Sequence, residues 1–200
     1  MFPAVVAAAT LGWSAWFRWQ APSFIPYQAW AVPRDPDFPL ARSEPDPAAV
    51  LLRKKDLLEA DDFVFTMGVG GGWHGLDVFR VDAEGNASYI FTTHDGRLWK
   101  AEFQVPAPTL AKLRQLLVDV NYASLKRAYH ADIFDGTQWC IRVDVAGATK
   151  KVYCNNYFPD EAVRLASAIS QDVLPAHEEE IKSARRIFES TAERARAGLW

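Results

Sequence analysis

The stretch from Thr137 to Asn156 constrains this chain most, because it reads as a hairpin and so decides which side chains share a face. In residues 139–145, Trp139, Ile141, Val143 and Val145 alternate with Cys140, Arg142 and Asp144. That period of two marks a half-buried strand. Residues 150–156 alternate less cleanly, through Lys150, Lys151, Val152, Tyr153, Cys154, Asn155 and Asn156. A two-residue loop of Gly147 and Ala148 suits a type II′ turn, which wants Gly first. That register sets Val143 opposite Val152, Ile141 opposite Cys154, and Asp144 opposite Lys151 as a cross-strand pair. Cys140 and Cys154 then lie on opposite faces and are not bonded to each other, whereas a one-residue slip would set them face to face. Two cysteines in 200 residues make neither a disulfide framework nor a zinc site. They read as small buried hydrophobes.

Half of the residues are hydrophobic and 24% are charged, so the chain folds instead of remaining disordered. The net charge is −3, and the basic residues form no long block, which excludes a nucleic-acid binder that relies on bulk charge. Residues 2–17 carry no charge before Arg18, and Trp13, Trp16 and Trp19 cluster beside them. As a helix, sixteen residues reach about 24 Å, short of a hydrocarbon core of roughly 30 Å. Arg18 can snorkel, and Trp16, Phe17 and Trp19 suit an interfacial belt. Residues 1–20 are therefore read as an apolar helix that anchors the chain at a membrane through residues 2–19. A signal peptide and a soluble apolar helix are the competing readings. The corresponding localisation is a membrane or cell envelope, with the cytoplasm as the alternative.

Residues 21–49 follow as a linker with Pro22, Pro26, Pro33, Pro36, Pro39, Pro45 and Pro47, a spacing that forbids helix and favours extended chain. Phe24, Ile25, Tyr27 and Trp30 are apolar enough for this stretch to pack along its own domain instead. Residues 50–200 then read as one α+β domain. A helix over 48–58 leads to a strand over 63–67, a glycine-rich loop over 68–75, and strands over 76–82, 88–93 and 98–105. A three-residue loop centred on Gly96 pairs Trp99, Ala101 and Phe103 with the apolar set of Tyr89 and Phe91. Pro106 and Pro108 open a helix whose stripe is Leu110, Leu113, Leu117 and Val120. An irregular segment with Tyr122, Leu125 and Tyr129 precedes the hairpin. After Pro159 a helix buries Val163, Ala166, Ile169 and Val173. A last helix over 176–197 carries Glu178, Glu179 and Glu180 at its start and Arg194 and Arg196 near its end, matching the dipole. The expectation is a mainly antiparallel sheet of about six strands with helices on one face.

The glycine-rich stretch contains a G-x-G-x-x-G at Gly70, Gly72 and Gly75. A dinucleotide site needs that motif between a strand and a helix, and here a strand follows. No Lys-Ser or Lys-Thr closes it as a phosphate loop. It reads instead as a connection where glycines permit unusual backbone, or as a binding loop with Trp73 and His74 at its tip. His130, Asp132 and Asp135, with His74 and His94–Asp95, form at most a weak metal-ligand set. No Gly-x-Ser-x-Gly is present, and no Cys sits in an activated setting. Asn155 and Asn156 close the hairpin before a helix, where paired amides either bind a polar ligand or, more in keeping with the position, cap and turn the chain.

Gly70, Gly72, Trp73, His74, Asn155 and Asn156 are thus the candidate binding residues. No catalytic or metal residue and no cofactor is assigned. The leading expectation is a non-enzymatic interaction or accessory module held at a membrane, meeting a protein partner through the last helix. The alternative is a small enzyme or ligand-binding protein with its site at residues 68–75, which requires His74 to approach Asp132 or Asp135 within hydrogen-bond reach.

Overall fold

The hairpin forms with its two faces as read and its turn displaced. The computed structural model describes residues 41–44, 52–71, 75–93, 96–131 and 136–187. The elements used below are β1 (Ala41–Glu44), α1 (Lys54–Glu59), β2 (Val64–Gly71), β3 (Gly75–Asp82), β4 (Asn86–Thr92), β5 (Leu98–Gln104), α2 (Ala107–Asp119), β6 (Ala128–Ala131), β7 (Thr137–Val145), β8 (Ala148–Asn155), α3 (Asp160–Ala168), α4 (Glu178–Lys182) and β9 (Arg185–Ile187). In the β7–β8 pair, Val145 faces Ala148, Val143 faces Lys150, Ile141 faces Val152 and Trp139 faces Cys154. The turn is therefore Ala146-Gly147, both at positive φ (50° and 73°), not Gly147-Ala148. The cause lies far along the chain. The Asp62 carboxylate accepts the Ala146 N–H at 2.7 Å and the Gly147 N–H at 3.0 Å. Those bonds hold a left-handed turn that local preference would not place at alanine.

The pairing differs from the expected one by two residues, so every side chain keeps its face. Cys154 lies in the main core and Cys140 on the other face, and no disulfide joins them. The expected Asp144–Lys151 pair is absent: Asp144 faces Thr149 and is bound by Arg142 on its own strand, Nε to Oδ2 at 2.7 Å.

The fold is α+β with a mostly antiparallel sheet. Its strand order is β1-β6-β8-β7-β2-β3-β4-β5-β9, and among the described residues only β6 and β8 run parallel. The three short strands that sequence patterning missed, β1, β6 and β9, lie toward the two edges. β1 comes from the proline-rich stretch and pairs with β6, so residues 41–44 join the sheet. Residues 1–40, which hold the expected apolar helix, lie outside the described residues. The buried side chains of the helices join the inner face of the sheet in one core: Leu57, Leu110, Leu113, Leu117, Val163, Ala166 and Ile169 against Phe65, Met67, Phe79, Tyr89 and Ile141. Arg114 ties the helices together. Its guanidinium lies 4.3 Å over the Phe63 ring and donates to the Leu58 and Ala60 carbonyls at 2.9 and 3.0 Å.

Two expectations are corrected. Gly68, Gly70 and Gly71 are not a loop but the second half of β2, fully paired with β3 on one side and β7 on the other. Glycine costs about 0.5–1 kcal/mol in a strand, and ladders on both sides offset it. The last helix does not run to 197: α4 ends at Lys182, and Arg185–Ile187 turns back as a strand against β5. The exposed ladder of β5 outweighs the local helical preference. From α3 the chain stays helical, through a π segment Ile169–Val173 and a 3-10 segment Leu174–His177, before α4.

Candidate functional site

The sheet has two unlike ends. At one, the chain turns back tightly: Ala146-Gly147 joins β7 to β8, and residues 83–85 join β3 to β4, with Asp82 Oδ1 accepting the Glu84 and Asn86 N–H groups at 3.1 and 2.9 Å. The other end holds Gly71 and Gly75, Thr92 and Leu98, Ala131 and Thr137, and Asn155. Ala41 faces Ala131 and Ile187 faces Leu98, so residues 1–40 and 188–200 attach to the sheet at that same end. The first end is called the closed pole below, and the second the open pole.

The structure gathers the described candidate residues at the open pole. Gly70 lies between Gln138 of β7 and Leu76 of β3, and Gln138 faces Asn155. Asn156 has φ 56°, a left-handed conformation that asparagine tolerates better than most residues. Its side-chain oxygen accepts the Thr137 N–H at 2.8 Å, its own N–H donates to the Thr137 carbonyl at 2.9 Å, and its amide nitrogen donates to Asn155 Oδ1 at 3.0 Å. Gly136 is needed there because a Cβ would overlap the Asn156 carboxamide. Asn156 thus turns the chain and closes the start of β7, in line with the capping reading. Gly72, Trp73, His74, His94, Asp95, Asp132 and Asp135 lie outside the described residues, and so does the proposed approach of His74 to Asp132 or Asp135.

Strand pairing sorts the outer face, opposite the helices, into rows. One row runs Ala128, Tyr153, Cys140, Gly68, Val78, Ile90 and Lys100. Next to it, toward the open pole, run His130, Asn155, Gln138, Gly70 and Leu76. Toward the closed pole run Lys151, Arg142, Thr66, Arg80, Ser88 and Glu102. His130 packs its ring 5.5 Å from that of Tyr153 on this face. Leu76, Val78 and Cys140 form a second buried cluster, separate from the main core.

The two cysteines and Tyr89 are tuned by burial more than by partners. Burial pushes the Cys140 thiol up to about 11, against a smaller pull from Lys151 and Arg142. Burial also pushes the Cys154 thiol far up. Neither offers a thiolate nucleophile near neutral pH. Burial, reinforced by the Asp77 carboxylate, holds Tyr89 well above the usual phenol range. Among the described residues no group of three or more His, Cys, Asp or Glu side chains is placed to hold a metal ion. His177 is buried, stacked 4.3 Å from the Phe103 ring, with Nδ1 3.4 Å from Glu180 Oε1.

Sequence patterning missed one polar centre. Lys150 is 1% exposed, and its Nζ donates to the Leu125 carbonyl at 2.7 Å. Tyr122, also in the core, places its hydroxyl 3.0 Å from the Ile141 carbonyl and 3.1 Å from that of Lys150. The adjacent Lys150 and Lys151 carried the signal: in a strand, one of two neighbouring lysines must point inward.

No protein-family model matches this chain, and no curated protein is recognisably similar to it.

Proposed function

We propose that this chain is a non-enzymatic interaction or accessory module, carried at a membrane by residues 2–19, with the open pole as its working end. One observation supports the reading above others. Both terminal stretches and three of the strand connections meet at one end of the sheet, while the opposite end is finished by short, carboxylate-braced turns. Binding segments are commonly loops held by a rigid scaffold, and this distribution divides scaffold from working surface. The inner polar groups support the same division, because Lys150, Arg114, Tyr122 and Asn156 bind backbone groups that the fold itself must satisfy. No helix among the described residues is long and apolar enough to cross a membrane, so the tether rests on residues 2–19 alone. With α4 ending at Lys182, the partner surface first drawn on a long last helix moves to β9 and the stretch beyond it.

Two measurements test this. Full-length chain should sediment with membranes through salt and alkaline washes and be released by detergent. Its recovery in the soluble fraction without detergent would sink the tether. Thermal unfolding with a chelator, divalent metals, nucleotides and sugars should show no shift. A ligand at 100-fold its Kd adds about 2.7 kcal/mol, so a shift of several degrees would favour the ligand-binding alternative at residues 68–75.

A further inference from the structure

Of the asparagines in this chain, Asn86 alone stands in an Asn-x-Ser triplet, followed by Ala87 and Ser88. Asn121, Asn155 and Asn156 are followed two places on by Ala123, Tyr157 and Phe158. Asn-x-Ser/Thr, with any residue but proline in the middle, is the acceptor signal for N-linked glycosylation. Such a triplet also recurs by chance, so its place in the fold decides. The modified amide must reach solvent, and the folded chain must have room there for a bulky, solubilising group.

Asn86 meets both requirements. It is exposed, and it opens β4 at the closed pole, just after the turn over residues 83–85. Its backbone N–H donates to Asp82 Oδ1 at 2.9 Å, and its amide nitrogen donates to Asp82 Oδ2 at 3.0 Å. An asparagine amide nitrogen carries two hydrogens. The bond to Asp82 takes one, and among the described residues no group takes the other. A sugar on that nitrogen replaces one hydrogen and leaves the second to keep the Asp82 bond. Strand alternation sets Ser88 on the same face, between Arg80 and Glu102. Asn156 is the opposite case: it is 5% exposed, and its side chain holds the Thr137 N–H and the Asn155 side chain.

We propose that Asn86 is an N-glycan acceptor, and that the chain carries a glycan at its closed pole. The donor is a lipid-linked oligosaccharide diphosphate. The bond from sugar C1 to the diphosphate oxygen breaks, a bond from C1 to Asn86 Nδ2 forms, the lipid diphosphate leaves, and the Nδ2 proton passes to the transferase. Because Ala87 and Ser88 pair with β3 and β5, the transfer precedes closure of the strand, and the folded state then holds the product. The glycan stands at the end opposite the attachment of residues 1–40 and 188–200, so it leaves the open pole uncovered. The proposal rests on the reading that residues 2–19 bring the chain to a membrane, because this transfer acts on chains delivered across one.

The test uses the full-length chain behind a cleavable signal peptide of proven activity, produced in mammalian cells, so that delivery does not depend on residues 2–19. Removal of the signal peptide reports delivery. The delivered protein should run as a heavier species that peptide-N-glycosidase collapses to the bare chain, leaving aspartate at position 86 in the peptide mass spectrum. Asn86→Gln and Ser88→Ala should each abolish the heavier species, and Ser88→Ala does so while keeping both bonds from Asn86 to Asp82. A delivered chain of bare mass would overturn the proposal, as would a heavier species that survives in Ser88→Ala. The chain without the added signal peptide separates the two readings. A glycan on both proteins supports both, whereas a glycan only behind the added peptide keeps Asn86 as the acceptor and removes the membrane role of residues 2–19.

Discussion

The two poles of the sheet are built on different principles. At the closed pole, side-chain oxygens take backbone N–H groups directly: Asp62 at Ala146 and Gly147, Asp82 at Glu84 and Asn86. Gln104 adds a bond to the Glu84 carbonyl at 2.6 Å, and Lys150 and Tyr122 brace the strands just inside. At the open pole two corners are built this way, one around Gly136, Thr137 and Asn156, the other where the Asp77 carboxylate accepts the Thr92 N–H at 2.8 Å. The remaining chain there enters, leaves or crosses over. A fold whose stability is concentrated at one pole leaves the other free to vary with what it must meet. Substitutions should therefore cost stability at the closed pole and at those two built corners.

The largest effect is expected at Lys150. Lys150→Ala removes a buried side chain of methionine-like length and should lower the unfolding free energy by about 2–5 kcal/mol, the range for truncating long buried residues. Lys150→Met keeps most of the volume but leaves the Leu125 carbonyl without this donor, a loss of about 1–3 kcal/mol. Urea unfolding of the two variants separates volume from hydrogen bonding. Equal losses would mean that the hydrogen bond alone matters there, and a Lys150→Met variant as stable as the parent would mean that packing alone does.

At the Asn156 corner of the open pole, Gly136→Ala should cost about 1–3 kcal/mol by overpacking, since its Cβ would meet the Asn156 carboxamide. Adding Asn156→Gly should return part of that loss, because glycine accepts the positive φ of residue 156 and vacates the space. A double variant no more stable than Gly136→Ala would show that the clash is not with Asn156. Tyr122→Phe is milder, about 0.5–1.5 kcal/mol, because the Ile141 and Lys150 carbonyls it serves also belong to strands. Its measurement is the shift in the denaturation midpoint at constant slope.

What was legible in the sequence is local, and what was not is contributed from a distance. The apolar sets of β4 and β5 pair as expected, Phe91 with Trp99 and Tyr89 with Ala101, and the stripe Leu110, Leu113, Leu117 and Val120 is buried. The three-residue loop between those strands ends on Gly96 at φ 76° instead of being centred on it, with Thr93 N–H bound to the Arg97 carbonyl. The faces of the hairpin were legible because parity survives a two-residue shift. Its turn was not, because Asp62 lies more than eighty residues from it. The glycines of β2 looked like a loop by propensity, and two flanking strands overrule propensity. β6 has a parallel partner in β8 and β9 an edge to cover on β5, and neither leaves a mark in its own few residues. At the candidate site, the turn-forming role of Asn156 was readable from residue type, while the row that puts Gly70 beside Gln138 and Leu76 needed the pairing of three strands.

The smallest predicted effect is the one that isolates the closed pole. Asp62 is exposed, and the N–H groups of Ala146 and then Gly147 hold its carboxyl below the usual range for aspartate. In the unfolded chain those donors are gone and the group returns to about 3.9. A carboxyl whose folded value is depressed binds its proton more readily when unfolded, so the folded state gains from ionisation. The gain is complete above the unfolded value and is lost as pH falls through the lower, folded one. Asp62→Asn keeps the shape of the side chain and abolishes the titration. Denaturation midpoints of parent and variant, taken from pH 7 down to pH 2, should therefore differ most at neutral pH and converge below about pH 4. Other carboxyls held low, such as Glu102 beside Lys100, titrate in both proteins and cancel in the difference. A difference that stays constant across the range would mean that the turn at Ala146 and Gly147 is held by geometry alone, with no contribution from the charge of Asp62.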